Sequence, residues 1–451
     1  MRSINNNIGN NIVVGEKVEV PIVNGEYVHS IDFDNAATTP PFCSVLNDIN
    51  NFAPWYSSIH RGAGYKSELS SKVYDNARYL VQDFVHADKD KDVVIFTKNT
   101  TESINLLSYV LSQQTEHQNV VLSSWMEHAS NDLPWRGKFL LDYIEIDSLG
   151  RLSLNDLENK LIKYKGSVKL VTITGTANVT GYINPIHEIA SITHKYGAKI
   201  MVDGAQMVPH IPVDMMPFNT PEHIDFLVFS AHKMYAPFGI GVLIGPKTVF
   251  KKSEALILGG GTFRLYTHGK IQWSDPPLKD EAGTPNVMGV AALSSAIQTL
   301  ISIGMNEIFS YEKALYDYMV EKMSHIPGIC FYSDTSKEDT VSIVPFNMVN
   351  ISHQLMATIL ANESGIAVRN GFFCAHPYCE RLLGLSESDM EYYFNHKNVK
   401  LPGMVRVSLG LYNTYEEIDK FIKTLLLISQ NQEYFIQKYT DKIIALENPG
   451  C

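Results

Sequence analysis

The sequence contains few cysteines for its length: five in 451 residues, at positions Cys43, Cys330, Cys374, Cys379 and Cys451. An odd number of cysteines, spread widely through a long chain, argues against a disulfide framework and favours a reducing compartment. At least one of these thiols is therefore a candidate reactive group.

Long hydrophobic runs and an excess of positive charge are also missing. No run approaches the ~20 apolar residues of a membrane helix, and the polar, Asn-rich N-terminus lacks the features of a secretory signal. The 37 basic and 48 acidic side chains give a formal net charge of -11, which disfavours broad binding of nucleic acid or of anionic membranes. These absences predict a cytoplasmic protein that binds a small molecule, with neither nucleic acid nor a membrane as partner.

The composition that is present is globular, with 45% hydrophobic and 19% charged residues. Short Val-, Ile- and Leu-rich runs alternate with longer helical patterns, which is typical of buried parallel strands joined by crossover helices. The fold class is therefore predicted as α/β, with a mostly parallel sheet flanked by helices. Towards the C-terminus the pattern changes to a long amphipathic helix followed by strands such as TVSIVPF and MVRVSLG. We predict an N-terminal extension over residues 1–30, a large domain over 31–305 and a smaller α+β domain over 306–451.

Reactive side chains follow three of the predicted strands, where open α/β sheets bind their ligands. Thr100 and Thr101 follow VVIF and begin a helix whose N-terminus attracts an anion, although a threonine pair there is also an ordinary cap. Asp203 follows KIMV and needs a cationic partner if it is buried, although a turn aspartate fits the same pattern. Lys233 follows FLVFS, where burial would make its amine nucleophilic, although a solvated surface lysine is the common alternative.

Together the three groups suit pyridoxal 5'-phosphate, which needs a lysine for attachment, a carboxylate for its ring nitrogen and an anion-binding helix end. The segments FTKNTTESINL, MEHASNDLPW, TANVTGYINPI, VDGAQ and FSAHKMYAPFGIGVL also resemble the class V aminotransferase family of fold-type I pyridoxal-phosphate enzymes. The resemblance is strongest to the cysteine desulfurase and selenocysteine lyase branch, and it extends from about Phe33 to Thr414.

The resemblance implies a role for each matching residue. Lys233 would hold pyridoxal phosphate, Asp203 would pair with its ring nitrogen, and Gln206 would bond its ring hydroxyl. His128 would stack on the ring and relay protons, and Asn178 would contact the ring or the substrate. The phosphate would be bound by Thr100, Thr101, Ser230 and His232. Thr284 in EAGTPN resembles a threonine that the family contributes from the second subunit, which implies a homodimer.

The expected substrate groups lie in three further segments. Arg406 in MVRVSLG matches the arginine that binds the substrate carboxylate, although it could instead face solvent on an ordinary strand. His60 and Arg61 in SIHRGAG resemble a segment near the substrate entrance. Cys374 in VRNGFFCAHPYC aligns with the mobile-loop cysteine that receives sulfur in the desulfurases.

Two features of the Cys374 segment leave other interpretations open. A lone cysteine is often a small buried hydrophobe, and Cys374, His376 and Cys379 have ligand-like spacing, although no second cysteine pair completes a zinc site. We therefore predict no metal. Phe372 and Phe373 stand where polar residues or histidines are common in the branch, so the loop is expected to be more apolar.

The resemblance implies a desulfurase that converts cysteine or selenocysteine to alanine and leaves a persulfide on Cys374, for transfer to an acceptor protein or a reductant. One alternative is a C–S lyase or aminotransferase on the same cofactor in which Cys374 takes no part. The other is a catalytically silent protein that keeps the fold as a dimeric scaffold.

Overall fold

The computed structural model describes residues 11–114, 118–336 and 339–447. Cys451, the first ten residues of the predicted N-terminal extension and the last four of the predicted small domain lie outside these ranges. The strands are β1 (Glu19–Pro21), β2 (Tyr27–His29), β3 (Ile31–Asp32), β4 (Asp92–Thr97), β5 (Val120–Ser124), β6 (Leu140–Ile144), β7 (Val168–Thr174), β8 (Lys199–Asp203), β9 (Phe226–Ser230), β10 (Gly241–Pro246), β11 (Phe263–Thr267), β12 (Lys270–Trp273), β13 (Ile329–Phe331), β14 (Ile343–Met348), β15 (Ile366–Ala367), β16 (Arg369–Gly371) and β17 (Met404–Ser408).

The α-helices account for much of the remaining chain. They are α1 (Cys43–Phe52), α2 (Tyr65–Phe84), α3 (Thr100–Ser112), α4 (Leu154–Lys163), α5 (Ile186–Lys195), α6 (Lys247–Phe250), α7 (Val287–Ile303), α8 (Met305–Ser324), α9 (His353–Ser364), α10 (His376–Leu383), α11 (Glu387–Asn395), α12 (Tyr415–Gln430) and α13 (Gln432–Glu447).

A seven-stranded sheet in the order β4-β10-β9-β8-β7-β5-β6 forms the centre of the molecule. Strands β9, β8, β7, β5 and β6 are parallel, and β10 runs antiparallel to both of its neighbours. The prediction of an α/β fold with a mostly parallel sheet is confirmed. Strand β6 was not predicted, because LLDYI at the sheet edge is only partly buried and lacks a continuous apolar run.

Helices cover both faces of this sheet, as the alternation of its side chains requires. Val94 and Phe96 of β4 pack on one face with residues of α1, α2 and α7. Val93 and Ile95 of the same strand pack on the other face with residues of α3. Because both faces are covered, the central strands are apolar throughout, which is why they were recognisable in the sequence.

A second hydrophobic core surrounds the four-stranded sheet β13-β14-β17-β16, whose neighbours pair antiparallel. Helices α8, α9 and α12 contribute to this core, and so do Ile31 and Phe33 from the start of the chain. Strand β3 pairs in parallel with β15, which joins this early segment to the C-terminal part. The domain limits inferred from the sequence stay a prediction. The segment around Ile31 and Phe33 packs against the second core.

None of the described helices is by itself long and apolar enough to cross a membrane, although α7 and α8, which meet at a bend of 77°, have sufficient combined length and apolar composition.

Candidate active site

One cavity of about 250 Å³ lies between the carboxyl ends of the central strands and the second sheet. Its lining includes the first residues of helix α3 and the segment that carries Cys374. Most of the predicted site residues, distant in the sequence, line this single cavity. They are Thr100, Thr101, His128, Asn178, Asp203, Gln206, Ser230, His232, Lys233, Cys374 and Arg406.

The reactive amine of the cavity belongs to Lys233, directly after β9. Its side chain is only partly exposed, and burial lowers its pKa to about 8, while the charge of Asp203 opposes that shift. Asp203 ends β8, is 4% exposed and accepts a hydrogen bond at Oδ1 from Ala205 N (3.0 Å). Burial raises the pKa of the Asp203 carboxyl, although the neighbouring lysine and the Ala205 bond favour its charged form. An amine that is half neutral near pH 8 is a competent nucleophile.

Hydroxyl groups gather at the N-terminus of α3. Thr100 Oγ1 and Ser230 Oγ are 2.6 Å apart, and Thr100 N donates to the same serine oxygen (2.8 Å). Thr101 Oγ1 lies 2.7 Å from Ser130 Oγ. The Asn99 side chain caps the helix by accepting a bond from Glu102 N (3.0 Å). Hydroxyl donors beside the positive end of a helix dipole favour an anion.

His128 and Gln206 supply the polar walls between these groups. Burial, together with the charges of Lys233 and Arg406, lowers the pKa of His128 to about 4, so the ring is neutral near pH 7. Ser130 N donates to His128 Nδ1 (3.1 Å), which leaves the ring proton on Nε2. Gln206 Nε2 donates to Ala36 O (2.6 Å). Its Oε1 is buried and has no hydrogen-bond partner within the described ranges.

The guanidinium of Arg406 lies almost fully buried in β17, with 3% of the residue exposed. Nη1 donates to Asn178 O (2.9 Å), and Nη2 donates to Asp34 Oδ1 (3.2 Å). Arg369, the neighbour of Arg406 across the β16–β17 pair, places Nη1 3.5 Å from Asp34 Oδ2. Arg406 therefore faces the cavity and not solvent.

Asp34 and Ser130 are two site groups to which the sequence assigned no role. Asp34 lies in DFDNAATT, at the start of the matching region, and Ser130 lies in MEHASNDLPW. Both residues lie within the part of the chain that resembles the family, so a motif match was the available signal. Asp34 belongs to the site because it contacts Arg406, and Ser130 belongs to it because it contacts Thr101.

The thiol of Cys374 is exposed at the cavity, while the two residues before it are buried. Ala129 N donates to Cys374 O (2.7 Å), and Asn178 Nδ2 donates to Phe373 O (2.8 Å). Phe372 and Phe373 pack with Met126 and neighbouring apolar residues, in agreement with the expectation of an apolar loop. The buried Cys379 donates its thiol to Phe372 O (3.3 Å), and burial raises its pKa well above the ordinary value. Among the described residues, no three or more His, Cys, Asp or Glu side chains lie close enough together to hold a metal ion.

Two predicted site residues lie elsewhere when a single chain is considered. Thr284 lines a different groove, together with Glu281 and Lys98. His60, predicted to bind substrate, lines another surface cavity and places Nε2 3.1 Å from Asp75 Oδ1. Within one chain the structure brings neither residue to the Lys233 cavity.

Comparison with known proteins places this geometry in a family. Residues 31–421 match the model of the aminotransferase class-V family. The chain is 34% identical over 410 residues to a protein of Halalkalibacterium halodurans named probable cysteine desulfurase, covering 89% of this chain and 93% of that one. It is 32% identical over 400 residues to a cysteine desulfurase of Haloferax volcanii, covering 87% and 88%. The apo structure of a cysteine desulfurase from Thermococcus onnurineus superposes with a TM-score of 0.79 at 30% identity, covering 89% and 95%. The chain belongs to the class-V aminotransferase family.

Proposed function

We propose that the protein is a pyridoxal-phosphate-dependent cysteine desulfurase that takes sulfur from L-cysteine, or selenium from selenocysteine, and forms alanine. The observation that carries the proposal is that the exposed thiol of Cys374 lines the same cavity as the Lys233 amine and the Arg406 guanidinium. The two relatives and the solved structure, which are named as cysteine desulfurases, support it.

The polar groups of the cavity fit pyridoxal phosphate. Gln206 Oε1 is a buried acceptor with no partner in the described part of the chain, and it suits the ring hydroxyl. The buried Asp203 carboxyl lines the cavity, and it suits the protonated ring nitrogen. The hydroxyls of Thr100, Thr101 and Ser230 at the start of α3 suit the phosphate.

The remaining cofactor roles follow from the same cavity. Lys233 would hold pyridoxal phosphate covalently, His128 would cover the ring, and His232 and Asn178 would complete the site. When bound, pyridoxal phosphate withdraws electrons from the substrate and makes its α-proton acidic.

The protein's own side chains carry out substrate binding, proton transfer and attack on sulfur. Arg406 binds the substrate carboxylate through a planar guanidinium. The Lys233 amine takes up and returns the α-proton. The Cys374 thiolate attacks the substrate sulfur, so that an S–S bond forms and the C–S bond breaks. The electron pair of the broken bond stays on carbon, which is protonated to give alanine, and Cys374 keeps the sulfur as a persulfide.

The same proposal includes a homodimer with shared sites. Thr284 lies outside the Lys233 cavity of its own chain, so it would reach the cavity of a second copy. The β11–β12 hairpin exposes Leu265, Tyr266 and Ile271 by 63%, 57% and 52% in a single chain, which suits burial against another copy. We place the enzyme in the cytoplasm, with an acceptor protein as a recipient of the sulfur.

The test is to incubate the pyridoxal-phosphate-loaded protein with cysteine and follow intact mass and alanine formation. We expect one added sulfur atom on Cys374, absent in Cys374→Ala and retained in Cys330→Ser, which removes another exposed thiol. If Cys374→Ala still releases sulfide from cysteine at the native rate, with pyruvate and ammonia as the other products, the C–S lyase alternative replaces the proposal. A protein whose absorbance does not change when pyridoxal phosphate is added would instead be a scaffold.

A further inference from the structure

The ring of Phe373 lies against the guanidinium of Arg406, with the ring centroid 5.0 Å from Cζ. Arg406 is buried, and its Nε has no hydrogen-bond partner in the ranges that the structure covers. A cation over an aromatic face within about 6 Å is attracted to the ring, and more strongly where water is excluded. Phe373 therefore helps to hold the one charged group assigned to the substrate carboxylate.

The backbone of Phe373 is connected to the same arginine through Asn178. Asn178 Nδ2 donates to Phe373 O (2.8 Å), while Asn178 O accepts from Arg406 Nη1 (2.9 Å). Arg406, Asn178 and Phe373 thus form a closed triangle of one ring contact and two hydrogen bonds. Each of the three residues therefore contacts the other two.

Cys374 follows directly on this triangle. Phe373 and Cys374 have φ angles of 51° and 56°, in the left-handed region that bulky L-residues rarely adopt. Such a conformation persists only where its surroundings hold it, and here these include the buried Phe373 ring and the bond from Ala129 N to Cys374 O. The position of the thiol therefore depends on the packing of the residue before it.

We propose that Phe373 is a positioning residue that fixes the Arg406 guanidinium and the Cys374 thiol relative to each other. Substrate held by its carboxylate then presents its sulfur where the thiol stands. This inference rests on the proposed function. It gives a role to Phe373, a position at which the sequence differs from the cysteine desulfurase and selenocysteine lyase branch.

The neighbouring Phe372 provides a matched control. Phe372 and Phe373 are 6% and 8% exposed and belong to the same apolar cluster. The Phe372 ring stacks on His376 at a centroid distance of 4.7 Å, whereas the Phe373 ring faces Arg406. Replacing each by leucine removes one aromatic face of similar burial.

The experiment uses Phe373→Leu, Phe372→Leu and Phe373→Tyr in the loaded enzyme. Removing the ring face is expected to raise KM for cysteine, and the dissociation constant of alanine measured by absorbance titration, by about 5- to 30-fold. Phe373→Tyr, which keeps the ring, is expected to restore both values, and Phe372→Leu to leave them within about twofold of wild type. In the cofactor-free protein, iodoacetamide should alkylate Cys374 several-fold faster in Phe373→Leu than in wild type or Phe373→Tyr, with Cys330 as internal reference.

Equal effects of Phe373→Leu and Phe372→Leu, no effect of Phe373→Leu, or no rescue by tyrosine would overturn the inference. If Phe373→Leu does not fold, Phe373→Met serves as the variant without a ring, and the same outcomes apply. Failure of the proposed function is recognised separately, because wild type would then gain no sulfur on Cys374. The alanine titration and the alkylation rates would still decide the role of Phe373.

Discussion

Arg406 Nη2 lies 3.2 Å from Asp34 Oδ1, although 372 positions separate the two residues in the chain. The side chains are 4% and 22% exposed, so the pair is largely shielded from water. The guanidinium assigned to the substrate carboxylate is thus partly neutralised by an internal carboxylate before any substrate arrives.

Replacing Asp34 by asparagine is expected to change affinity and stability in opposite directions. The variant removes a negative charge that competes with the substrate carboxylate, so KM for cysteine should fall several-fold. It also leaves a buried cation without its partner, which costs up to about 3 to 5 kcal/mol in a fully buried pair and less here, because Asp34 is partly exposed. Steady-state kinetics and urea unfolding measure the two effects.

The control for the Asp34 variant is Asp339→Asn, which breaks the pair with Arg151 in which Asp339 is 54% exposed. We expect little change in KM and at most about 1 kcal/mol in the free energy of unfolding. A higher KM in Asp34→Asn would show that Asp34 orients Arg406 and does not compete with substrate.

The rate at which cofactor-free protein takes up pyridoxal phosphate should follow the neutral fraction of Lys233. Because burial lowers the pKa of Lys233 to about 8, the rate should rise with pH below that value and level off above it. Asp203 raises the pKa of this amine, so Asp203→Asn should move the midpoint to lower pH. Stopped-flow absorbance measures the rate, with Lys233→Arg as the inactive control. A rate that still rises tenfold per pH unit between pH 8 and 10 would contradict the expected pKa.

Glu127, next to His128, should make the unfolding free energy depend on pH. The residue is 3% exposed, and burial raises its pKa to about 8, although Thr174 N (3.0 Å) and Asn131 Nδ2 (2.6 Å) donate to it. Since the folded pKa lies above the ordinary 4.5, the contribution of Glu127 to stability is fully present below about pH 4.5. That contribution is lost as the pH rises to about 8.

The measurement compares urea unfolding of wild type and Glu127→Gln at several pH values. Between pH 5 and 8 the stability of wild type should fall relative to the variant, by at most about 1.4 kcal/mol per pH unit. Parallel pH profiles of the two proteins would show that Glu127 stays charged throughout, held by its donors.

An aspartate on the β11–β12 hairpin should separate the proposed dimer. Leu265→Asp would bury a charge in the interface, so light scattering should report the mass of a single chain. Affinity for pyridoxal phosphate should fall as well, because Thr284 of the second copy is lost. Leu149→Asp, at a position that is 50% exposed and does not belong to the hairpin, is the control. A dimer that withstands Leu265→Asp would place the interface elsewhere.

The local pattern was sufficient to predict the central strands and the groups at their ends. Strands β7, β8 and β9 are buried along their whole or nearly whole length, so each appears as a largely apolar run. Asp203 ends β8, and Lys233 follows the end of β9. Short or partly exposed strands such as β6 and β16 have no comparable pattern and were not predicted. A strand that is buried on both faces has apolar residues at nearly every position, so the sequence shows it. The pairing of a strand at the edge of a sheet leaves no such pattern in the sequence.

The sequence by itself therefore determined the α/β class, the family and the side chains that meet at the strand ends. Only the tertiary structure decided that Asp34 pairs with Arg406, that the Phe373 ring lies against Arg406, and that His60 and Thr284 lie outside the cavity of their own chain. The contacts of Arg406 depend on the segments that pair with β17, since Asp34 bridges to Ser408 and β16 pairs with β17. Such pairings join residues that are far apart in the chain, and no periodicity in the sequence reports them.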